Sequence, residues 1–407
     1  MENVAQEKVL NTENDSQQTY KIQKFNSIAS VGLKEFELNQ FDVSESQENP
    51  DAYVLRSHSL HNKNLPMSLL AIGRAGAGVN NIPIPECSSN GIVVFNTPGA
   101  NANAVKELVI AGMLLSARDI YGGIKFVHTI ESKGDEIPGL VESNKSNFKG
   151  IELAGKTLGV IGLGAIGIKV ANAGLSLGMN VMGHDPFISI DSAWELSRDV
   201  EKASNLDYLI SNCDFIAVHV PFNEQTKGFI NKERISLMKK GAVLLNFSRN
   251  SLVDEFEMVN ALAECRIHRY VTDFPNPLLV DNSKVISIPH LGASTKEAED
   301  NCAIMACKQL SDYLRNGNIV NSVNFPSCNM ARSSDYRISI SNTNVPAIIG
   351  KITSVIANAN INISEMVNKS RGDIAYNLID LNQTPTKDLI DSIKSIEGIL
   401  NVRVLNV

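Results

Sequence analysis

The stretch "KTLGVIGLGAIG" constrains the fold of this chain more than any other, because a short apolar run leads into three glycines in GxGxxG spacing. The apolar run predicts a strand, and the residues after the last glycine predict a helix. Gly162 allows a tight turn, Gly164 lets the backbone approach a pyrophosphate, and Gly167 lets the helix pack closely on the strand. Amides at the start of that helix supply donors and positive potential for phosphate. The pattern therefore predicts a dinucleotide-binding βαβ unit.

An acid follows the glycines at the spacing that such a unit needs. The next predicted strand ends at "MGHD", which puts Asp185 about 20 residues further on, where an acid can bind the adenosine ribose hydroxyls. A carboxylate there repels a 2′-phosphate and so favours NAD over NADP. The alternative is that Asp185 only caps the segment that begins at Pro186. Val220 and Pro221 follow a later strand and fit either an adenine site or a plain turn.

Short apolar runs alternate with helix-like segments along most of the chain. This pattern predicts an α/β protein with two doubly wound parallel-sheet domains. The sequence pattern changes near the end to strands with period-two alternation. There the order β-α-β-β-α-β predicts a separate ferredoxin-like domain after a linker at 327–334. The predicted segments are a flexible tail at 1–19, a substrate-binding domain at 20–100 and 293–328, a Rossmann NAD-binding domain at 101–292 and the ferredoxin-like domain at 335–407.

Two segments near the start of the NAD-binding domain precede the glycine loop, one with helical spacing and one that is irregular. The stretch "ANAVKELVIAGMLLSARDIYGG" has apolar residues at helical spacing and predicts one long helix that ends at its two glycines. Residues 122–150 are polar and are predicted to form a loop or a short helix between domains.

Composition excludes several classes of protein. The chain has 407 residues, 43% of them hydrophobic and 20% charged, which indicates a folded protein of more than one domain. The net charge of −7 argues against nucleic acid or an anionic membrane as the main partner. The first 19 residues lack the apolar core of a signal peptide, and no apolar run has the length of a membrane span. Six scattered cysteines without a CxxC pair predict no metal site and a reducing cytosol.

Two side chains after predicted strands carry the chemistry. Arg249 follows "AVLLNFS", and in parallel sheets ligands collect at the carboxyl ends of strands. An arginine there can hold a substrate carboxylate through a bidentate fork, although a surface arginine is the alternative. His290 follows "KVISIP" and can take a hydroxyl proton as hydride leaves, or return it in the reverse reaction. The alternative for His290 is a structural histidine.

Six stretches carry a resemblance to a known family. The chain resembles the D-2-hydroxyacid dehydrogenases, in their phosphoglycerate branch and with a C-terminal ACT domain. The resemblance implies oxidation of 3-phosphoglycerate to 3-phosphohydroxypyruvate with NAD, at the entry to serine synthesis, by a homodimer or homotetramer. The stretches that carry it are "GRAGAGVNNI", "NTPGANANAVKELVIAGML", "GVIGLGAIG", "HVPFNEQTKGFI", "NFSRNSLVDE" and "IPHLGASTKEAEDN".

The resemblance also assigns roles to residues of this sequence. It implies that Arg249 orients the substrate and that His290 exchanges the proton. Around NAD it places Ala165, Ile166, Asp185, Phe247, Ser248, Arg249, Asp273, His290, Leu291, Gly292 and Ala293, which join Gly162, Gly164, Gly167, Val220 and Pro221 from the glycine and strand pattern above. Those on the substrate-side loops are Arg56, Ser57, Arg74, Gly76 and Asn101. Two arginines suit a phosphorylated acid, because phosphate needs charge-assisted donors.

The sequence departs from the family pattern at two places near this chemistry. Asn250 stands where the family has a glycine after the arginine, and asparagine tolerates a left-handed backbone. The family glutamate that supports the histidine is missing, since Leu278 or Asn276 occupies its place. An unperturbed imidazole has a pKa of about 6.5, so proton donation without a carboxylate partner weakens at alkaline pH. Either Asp273 moves to the histidine, or it binds the nicotinamide carboxamide and leaves the histidine without an acid.

The stretch "SNTNVPAIIGKITSVIANANINI" resembles the effector loop and first helix of ACT domains. Asn342, Asn344 and Asn362 fall on positions that hold an amino-acid effector, and carboxamides suit such a ligand because they both donate and accept. Ala347 replaces a common glycine and would narrow the loop. The prediction is L-serine binding and inhibition, and the alternative is an ACT domain that only dimerises.

Two other functions compete with the one implied by the resemblance. The first is a dehydrogenase for a non-phosphorylated D-2-hydroxyacid, such as glycerate or hydroxypyruvate. The second is a non-catalytic NAD or serine sensor, which would bind NAD without turnover. The presence of both Arg249 and His290 favours an enzyme.

Overall fold

Apolar and β-branched runs form three separate sheets in the computed structural model, which describes residues 19–36 and 40–406. Apart from residue 19, the predicted tail at 1–19 lies outside the described residues. The chain divides into two units. The first unit comprises the residues up to Thr97 together with those from Cys302 onward, and the second unit is Pro98–Asn301.

The first unit begins with a five-stranded parallel sheet of order β2-β1-β3-β4-β5. The last three strands in this order are nearly all buried, as expected for parallel strands that are covered on both faces, whereas the edge strand at the start of the order has no buried residue. The strands are β1 (Tyr20–Lys24), β2 (Phe41–Ser44), β3 (Ala52–Leu55), β4 (Ala71–Arg74) and β5 (Val93–Phe95), and the helices between them are α1 (Ser30–Leu33) and α2 (Ile84–Ser89).

The second unit contains a seven-stranded parallel sheet of order β12-β11-β10-β9-β6-β7-β8. This is the doubly wound arrangement, in which the chain leaves the central β6 first to one side and then to the other. The strands are β6 (Thr157–Ile161), β7 (Asn180–His184), β8 (Glu201–Lys202), β9 (Phe215–Val218), β10 (Ala242–Asn246), β11 (Ile267–Thr272) and β12 (Val285–Ser287). The helices are α3 (Ala102–Ala117), α4 (Ile120–Thr129), α5 (Ile137–Asn144), α6 (Ala165–Ser176), α7 (Ile190–Glu195), α8 (Leu206–Asn212), α9 (Lys232–Leu237) and α10 (Glu255–Ala263).

The prediction of one long helix ending at two glycines is wrong. The helix breaks at Arg118, whose backbone is extended, and α4 begins after Asp119, whose carboxylate accepts a hydrogen bond from the Gly122 amide at 3.2 Å. Both glycines lie inside α4. Residues 122–150, predicted to be a loop or a short helix, take the helical form, because α4, α5 and two 3-10 turns make up most of the segment.

A long helix, α11 (Lys296–Asn316), crosses from the second unit into the first. In the first unit it packs on β4 so closely that a Cβ at Gly73 would lie 2.7 Å from the side chain of Leu310. The segment after α11 is also packed. Ile319 and Cys328 form an antiparallel bridge, so the predicted linker begins as ordered, buried chain.

The C-terminal residues form a four-stranded antiparallel sheet of order β14-β15-β13-β16 with two helices on one face. The order β-α-β-β-α-β and this strand arrangement are the predicted ferredoxin-like layout. The elements are β13 (Tyr336–Thr343), α12 (Ile348–Asn358), β14 (Ile363–Arg371), β15 (Ile374–Leu381), α13 (Lys387–Lys394) and β16 (Ile399–Asn406). Isoleucines of β13, β15 and both helices form its core, because every second residue of a strand faces the same side.

The opposite face of this sheet packs on the end of α11 through polar groups. Arg337 is fully buried, forms an ion pair with Asp380 at 2.5 Å, and donates to the carbonyl of Asn316 at 3.1 Å. Arg403 donates to the carbonyls of Tyr313 and Leu314 at 3.2 and 2.7 Å. Cationic side chains near the end of a helix satisfy its last carbonyls and complement its dipole. The ferredoxin-like domain therefore caps α11.

Three further observations limit the chemistry. No helix among the described residues is long and apolar enough to cross a membrane. Within the same residues, no cluster of three or more metal-ligating side chains occurs. The six cysteines, which all lie in the described part of the chain, form no disulfide bond there.

Candidate functional site

The glycine loop between β6 and α6 has the geometry that the sequence predicts. Gly162 has φ +91°, and a Cβ there would lie 2.7 Å from the carbonyl oxygen of His219. A Cβ on Gly167 would overlap the carbonyl oxygen of Gly162. Gly164, by contrast, has no atom within 4 Å of its Cβ position. Two glycines are thus required by close packing, and the third leaves a space that a ligand can approach.

This space lies at the amino end of α6, where Gly164 is the N-cap residue. No side chain among the described residues caps the helix there, so its first amides point toward the space. Free amides and the helix dipole both favour a phosphate group. The loop therefore fits the pyrophosphate of a dinucleotide.

Asp185 directly follows β7 and is tied to the glycine loop. One carboxylate oxygen accepts a hydrogen bond from the Leu163 amide at 2.8 Å, and the other accepts one from the Phe187 amide at 2.8 Å. The sequence left two roles open for Asp185, a ribose-binding acid or a cap of the segment that begins at Pro186, and these two bonds are compatible with both. Asp185 stabilises local backbone, and it also holds an acidic group beside the loop where a ribose would bind.

His219 and the residues after β9 form another wall next to the glycine turn. Both ring nitrogens of His219 are buried and have no hydrogen-bond partner among the described residues, and burial lowers the pKa of this histidine to about 4. The ring is therefore neutral at physiological pH. Val220 is half-buried and Pro221 exposed, and the Pro221 carbonyl accepts from the Thr226 hydroxyl at 2.8 Å. Sequence reasoning did not single out His219.

The loop after β10 is held by a buried asparagine that sequence reasoning missed. Asn246 donates to the Arg249 carbonyl at 3.0 Å and accepts from the Ser248 amide at 3.2 Å. The Ser248 hydroxyl donates to the Val218 carbonyl at 2.7 Å, and Phe247 is buried. The backbone is thus fixed, whereas the Arg249 side chain is exposed.

Asn250 does not have the left-handed backbone that the glycine at this position of the family pattern led us to expect. It begins a 3-10 turn, Asn250–Leu252, and is not among the described residues with positive φ. Its side chain lowers the pKa of Glu255, the first residue of α10, against the rise that burial causes. The substitution therefore introduces a side-chain contact without backbone strain.

Asp273 directly follows β11 and is 1% exposed. One of its carboxylate oxygens accepts from the Gly292 amide at 3.2 Å, and the other has no partner among the described residues. Burial raises the pKa of Asp273, while the positive charges of His290 and Arg249 oppose that rise. The carboxylate is therefore electrostatically coupled to both predicted catalytic side chains.

His290 follows β12 and is exposed. Its ring lies 4.9 Å from the ring of Phe274 at an angle of 60°. Within residues 19–36 and 40–406, no side chain is hydrogen-bonded to this imidazole. The hydrogen bond of Asp273 goes instead to the backbone of the loop that carries His290, two residues further on.

The two positions considered for the missing glutamate have different surroundings. Leu278 is 57% exposed. Asn276 donates to a carboxylate oxygen of Glu255 at 2.6 Å and accepts from the Leu278 amide at 2.9 Å. Burial is the main cause of a raised pKa at Glu255, and the bonds from Asn250 and Asn276 oppose it. Glu255 is thus an acid in contact with this turn, and sequence reasoning did not single it out.

The predicted substrate residues belong to both units. In the first unit, Arg74 donates to the Arg56 carbonyl at 3.1 Å, and the Ser57 amide donates to the Asn26 side chain at 3.2 Å. Gly76 has φ +146°, and a Cβ there would overlap the Arg74 guanidinium. The structure therefore brings Arg56, Ser57, Arg74 and Gly76 together. Asn101 belongs to the second unit, where it precedes α3.

The three asparagines predicted for an effector site differ in exposure. Asn342 is 2% exposed, donates to the Thr343 carbonyl at 2.7 Å and accepts from Asn377 at 2.8 Å. Asn344 is exposed and donates to the Gly372 carbonyl at 3.0 Å. Asn362 is exposed as well. Asn342 thus belongs to the internal hydrogen bonding of the sheet, and only the other two present carboxamides at the surface.

The comparisons with known proteins identify the family. Residues 110–292 match the D-isomer specific 2-hydroxyacid dehydrogenase, NAD binding domain. A D-3-phosphoglycerate dehydrogenase of Haemophilus influenzae is 31% identical over 349 residues, which are 83% of this chain and 81% of the relative. The chain belongs to the D-isomer specific 2-hydroxyacid dehydrogenase family. NAD is the cofactor of its second unit, and the glycine loop and Asp185 fit that cofactor.

Other members of this family match over less of their own length. The D-3-phosphoglycerate dehydrogenase of Methanocaldococcus jannaschii is 34% identical over 84% of this chain and 64% of the relative. That of Archaeoglobus fulgidus is 36% identical over 77% of this chain and 56% of the relative. The chain therefore spans less than two thirds of the length of these two relatives.

A solved structure confirms the predicted fold of the two parallel-sheet domains. NAD+-bound 3-phosphoglycerate dehydrogenase of Entamoeba histolytica superposes with a TM-score of 0.59 at 25% identity, covering 75% of this chain and 99% of that one. The small antiparallel C-terminal domain is present in addition and is consistent with an ACT-like domain.

Proposed function

We propose that this protein oxidises 3-phospho-D-glycerate to 3-phosphohydroxypyruvate, with NAD as hydride acceptor, as a step of serine synthesis. The observation that carries the proposal is the position of three side chains in the sheet of the second unit. Arg249 follows β10, Asp273 follows β11 and His290 follows β12, and these strands are neighbours. Ligands of such sheets bind at the carboxyl ends of the strands. Relatives named D-3-phosphoglycerate dehydrogenase support the choice of substrate.

Residues of the second unit bind the cofactor, orient the substrate and exchange the proton. NAD, when bound, is the hydride acceptor. Amides at the start of α6 bind its pyrophosphate, and Asp185 accepts hydrogen bonds from its ribose. Arg249 is exposed and can grip the substrate carboxylate through two parallel hydrogen bonds. His290 takes the hydroxyl proton during oxidation and returns it to the carbonyl oxygen during reduction.

Asp273 supports this chemistry through the backbone of the His290 loop and through its charge. Its bond to the Gly292 amide fixes the loop, and the charge of His290 opposes the rise in the Asp273 pKa that burial causes. The Asp273→Asn enzyme should therefore retain NAD binding and lose turnover, because the loop that carries His290 loses its charged anchor. An unchanged kcat with only a raised Michaelis constant for NAD would contradict this role and favour a bond to the nicotinamide carboxamide.

The substrate class separates the proposal from its nearest rival. Turnover of 3-phosphohydroxypyruvate and of hydroxypyruvate with NADH should be measured on the same preparation. A clear preference in kcat/KM for the phosphorylated compound supports the proposal, and a preference for hydroxypyruvate would replace it with a reductase of non-phosphorylated acids. A chain that binds NAD and turns over neither compound would be a sensor.

The ferredoxin-like domain is proposed to be an ACT domain that binds L-serine as an inhibitor. Its fold and the exposed carboxamides of Asn344 and Asn362 support this role, because an α-amino acid needs both donors and acceptors. Calorimetry should show L-serine binding that is lost in Asn344→Ala. Absence of binding at millimolar serine would leave the domain with a purely structural role.

A homo-oligomer is also proposed, with α4 as part of its contact. Ile120, Ile124 and Val127 lie on one face of α4 and are 41%, 52% and 49% exposed, and Tyr121 beside them is 57% exposed. A continuous apolar face of this kind marks an interaction surface. Sedimentation velocity should show a dimer or tetramer that Ile124→Glu weakens.

A further inference from the structure

A cavity of about 380 Å³ lies within the first unit, beside the second half of α11. Its wall also includes Glu35, from the 3-10 turn Lys34–Phe36, and Asn318 and Asn321, from the segment after α11. The volume falls in the range of small-molecule sites, which is about 300–1,000 Å³. The lining residues all belong to the first unit, so the cavity is formed within that unit.

Four charged side chains of both signs line this cavity without pairing with one another. Asp312 lies four residues after Lys308 and three before Arg315, the spacings at which helical side chains usually form ion pairs. In the described part of the chain, however, no ion pair involves any of these three side chains or Glu35. Glu35 lies close to α11, because its charge adds to burial in raising the pKa of Cys307 to about 12. An acid from a different segment therefore stands beside the helix that carries both cations.

The Asp312 carboxylate is already held by neutral donors. Its Oδ1 atom accepts hydrogen bonds from the carboxamides of Asn316 and Asn318 at 2.7 and 3.3 Å. Arg315 uses only Nε locally, to donate to the Ser311 carbonyl at 3.4 Å. The two terminal nitrogens of its guanidinium have no partner among residues 19–36 and 40–406, and such a pair of nitrogens suits a carboxylate.

A buried hydroxyl of the same helix face also points to a ligand. Ser311 is 2% exposed, lines the cavity, and has no hydrogen-bond partner for Oγ among the described residues. It lies three residues after Lys308 and four before Arg315, so the three side chains share one face of α11. Buried polar groups in native proteins nearly always have a partner. A molecule bound between the two cations would supply one.

We propose that this cavity binds an acidic α-amino acid. Lys308 and Arg315 lack an anionic partner, and Glu35 lacks a cationic one, so the complementary ligand carries two carboxylates and one ammonium group. A carboxylate accepts two parallel hydrogen bonds from an arginine, and an ammonium group donates to a carboxylate. This site is independent of the proposed reaction, and it is separate from the carboxamides of the ferredoxin-like domain that are proposed for L-serine.

The cavity is connected to the junction between α11 and the ferredoxin-like domain. Asn316, which donates to Asp312, accepts a hydrogen bond from Nε of Arg332 at 3.1 Å. The Asn316 carbonyl accepts one from the buried Arg337 at 3.1 Å. A ligand in the cavity therefore contacts the same turn of α11 on which that domain is seated. Because it binds the folded chain, it should raise the unfolding temperature with its concentration.

L-glutamate and glutarate together test this assignment, since glutarate is L-glutamate without its ammonium group. Calorimetry on the full chain should show binding of L-glutamate and clearly weaker binding of glutarate. Arg315→Gln removes the two-pronged partner of a carboxylate and should weaken L-glutamate binding about tenfold or more. Glu35→Gln removes the partner of the ammonium group, so it should weaken L-glutamate binding and should not weaken glutarate binding.

Ser311→Ala separates a ligand-binding hydroxyl from a structural one. Because Oγ has no partner in the described protein, its loss should not lower the unfolding temperature without ligand, whereas L-glutamate binding should become several-fold weaker. A lower unfolding temperature with unchanged binding would show that the hydroxyl is structural and would overturn its role.

Lys296→Gln is the matched control. Lys296 is also an exposed lysine of α11, about 18 Å from Lys308 along the helix axis at about 1.5 Å per residue, and its substitution should leave the binding of both ligands unchanged. Asn344→Ala should leave L-glutamate binding unchanged as well, so this site and the proposed serine site can fail separately.

Three results would overturn the assignment. The first is no calorimetric binding of L-glutamate at millimolar concentration. The second is equal affinity of the unchanged protein for L-glutamate and glutarate, which would indicate a site for dicarboxylates without selection for an amino group. The third is a loss of L-glutamate binding in Lys296→Gln as large as that in Arg315→Gln, which would indicate an effect of net charge and not of this cavity.

Discussion

The glycine loop allows a prediction that separates folding from cofactor binding. Gly162→Ala should destabilise the protein, because φ is +91° and the added Cβ would lie 2.7 Å from the His219 carbonyl oxygen. A left-handed backbone costs about 1–2 kcal/mol for a residue with a Cβ. Overpacking adds about 1–3 kcal/mol. The expected total of about 2–5 kcal/mol corresponds to a lower unfolding temperature by at least several degrees.

Gly164→Ala should behave in the opposite way. Its φ of −79° is ordinary, and no atom lies within 4 Å of the Cβ position, so the free energy of unfolding without NAD should change by less than about 1 kcal/mol. The methyl group fills the space that the pyrophosphate must approach. A steric cost of about 1–3 kcal/mol would weaken NAD binding about 5- to 150-fold.

Thermal unfolding with and without NAD measures both effects, because a ligand that binds only the folded state raises stability with its concentration. Gly228→Ala is the control for backbone strain, since Gly228 has φ +60° and nothing within 4 Å of its Cβ position. The difference between Gly162→Ala and Gly228→Ala then isolates the overlap with His219. The reasoning fails if Gly164→Ala retains the full NAD-dependent stabilisation, or if it unfolds as readily as Gly162→Ala without NAD.

Three further predictions concern stability. Asp380→Asn leaves Arg337 buried and unpaired and should cost about 3–5 kcal/mol in chemical denaturation at pH 7. Burial acts to raise the pKa of Asp380, but the bonds from Arg337 and Ser333 outweigh it and lower the pKa, so this cost should shrink as pH falls below about 4. Asp273→Asn should raise the unfolding temperature at neutral pH, because burial raises the pKa of Asp273 and its ionisation opposes folding as pH rises. Ala347→Gly should raise the free energy of unfolding by about 0.5 kcal/mol, since relief of a left-handed backbone at φ +70° exceeds the extra entropy of glycine in the unfolded chain.

The fold was predictable where periodicity and turn chemistry agree. The strands around the glycine loop and the C-terminal β-α-β-β-α-β order follow directly from apolar runs and alternation. The edge strand β8 was not predictable, because two residues, Glu201 and Lys202, give no pattern. The break between α3 and α4 had a local signal in Asp119, a good N-cap residue, which the apolar spacing on both sides of it concealed.

The sequence predicted which residues of the candidate site carry chemistry, but not which buried side chains hold them. The positions of Arg249 and His290 follow from strand ends, which are visible in the sequence. Asn246 and His219 gave no such signal, because burial and the partner of a side chain depend on loops distant in the sequence.

The turn after β11 has no glutamate at the position where the family has the acid that supports its histidine, so other groups must hold His290. Asn276 donates to Glu255, so a carboxylate remains next to the turn, but this carboxylate accepts its hydrogen bond from a carboxamide and not from the imidazole. Asp273 is then the acid whose charge is coupled to His290, and it acts while bonded to the Gly292 amide. A charge acting without a direct hydrogen bond stabilises the imidazolium but does not fix which ring nitrogen carries the proton. The orientation of the His290 imidazole is therefore not fixed by a side chain of the described residues, and substrate binding must supply the rest of its alignment.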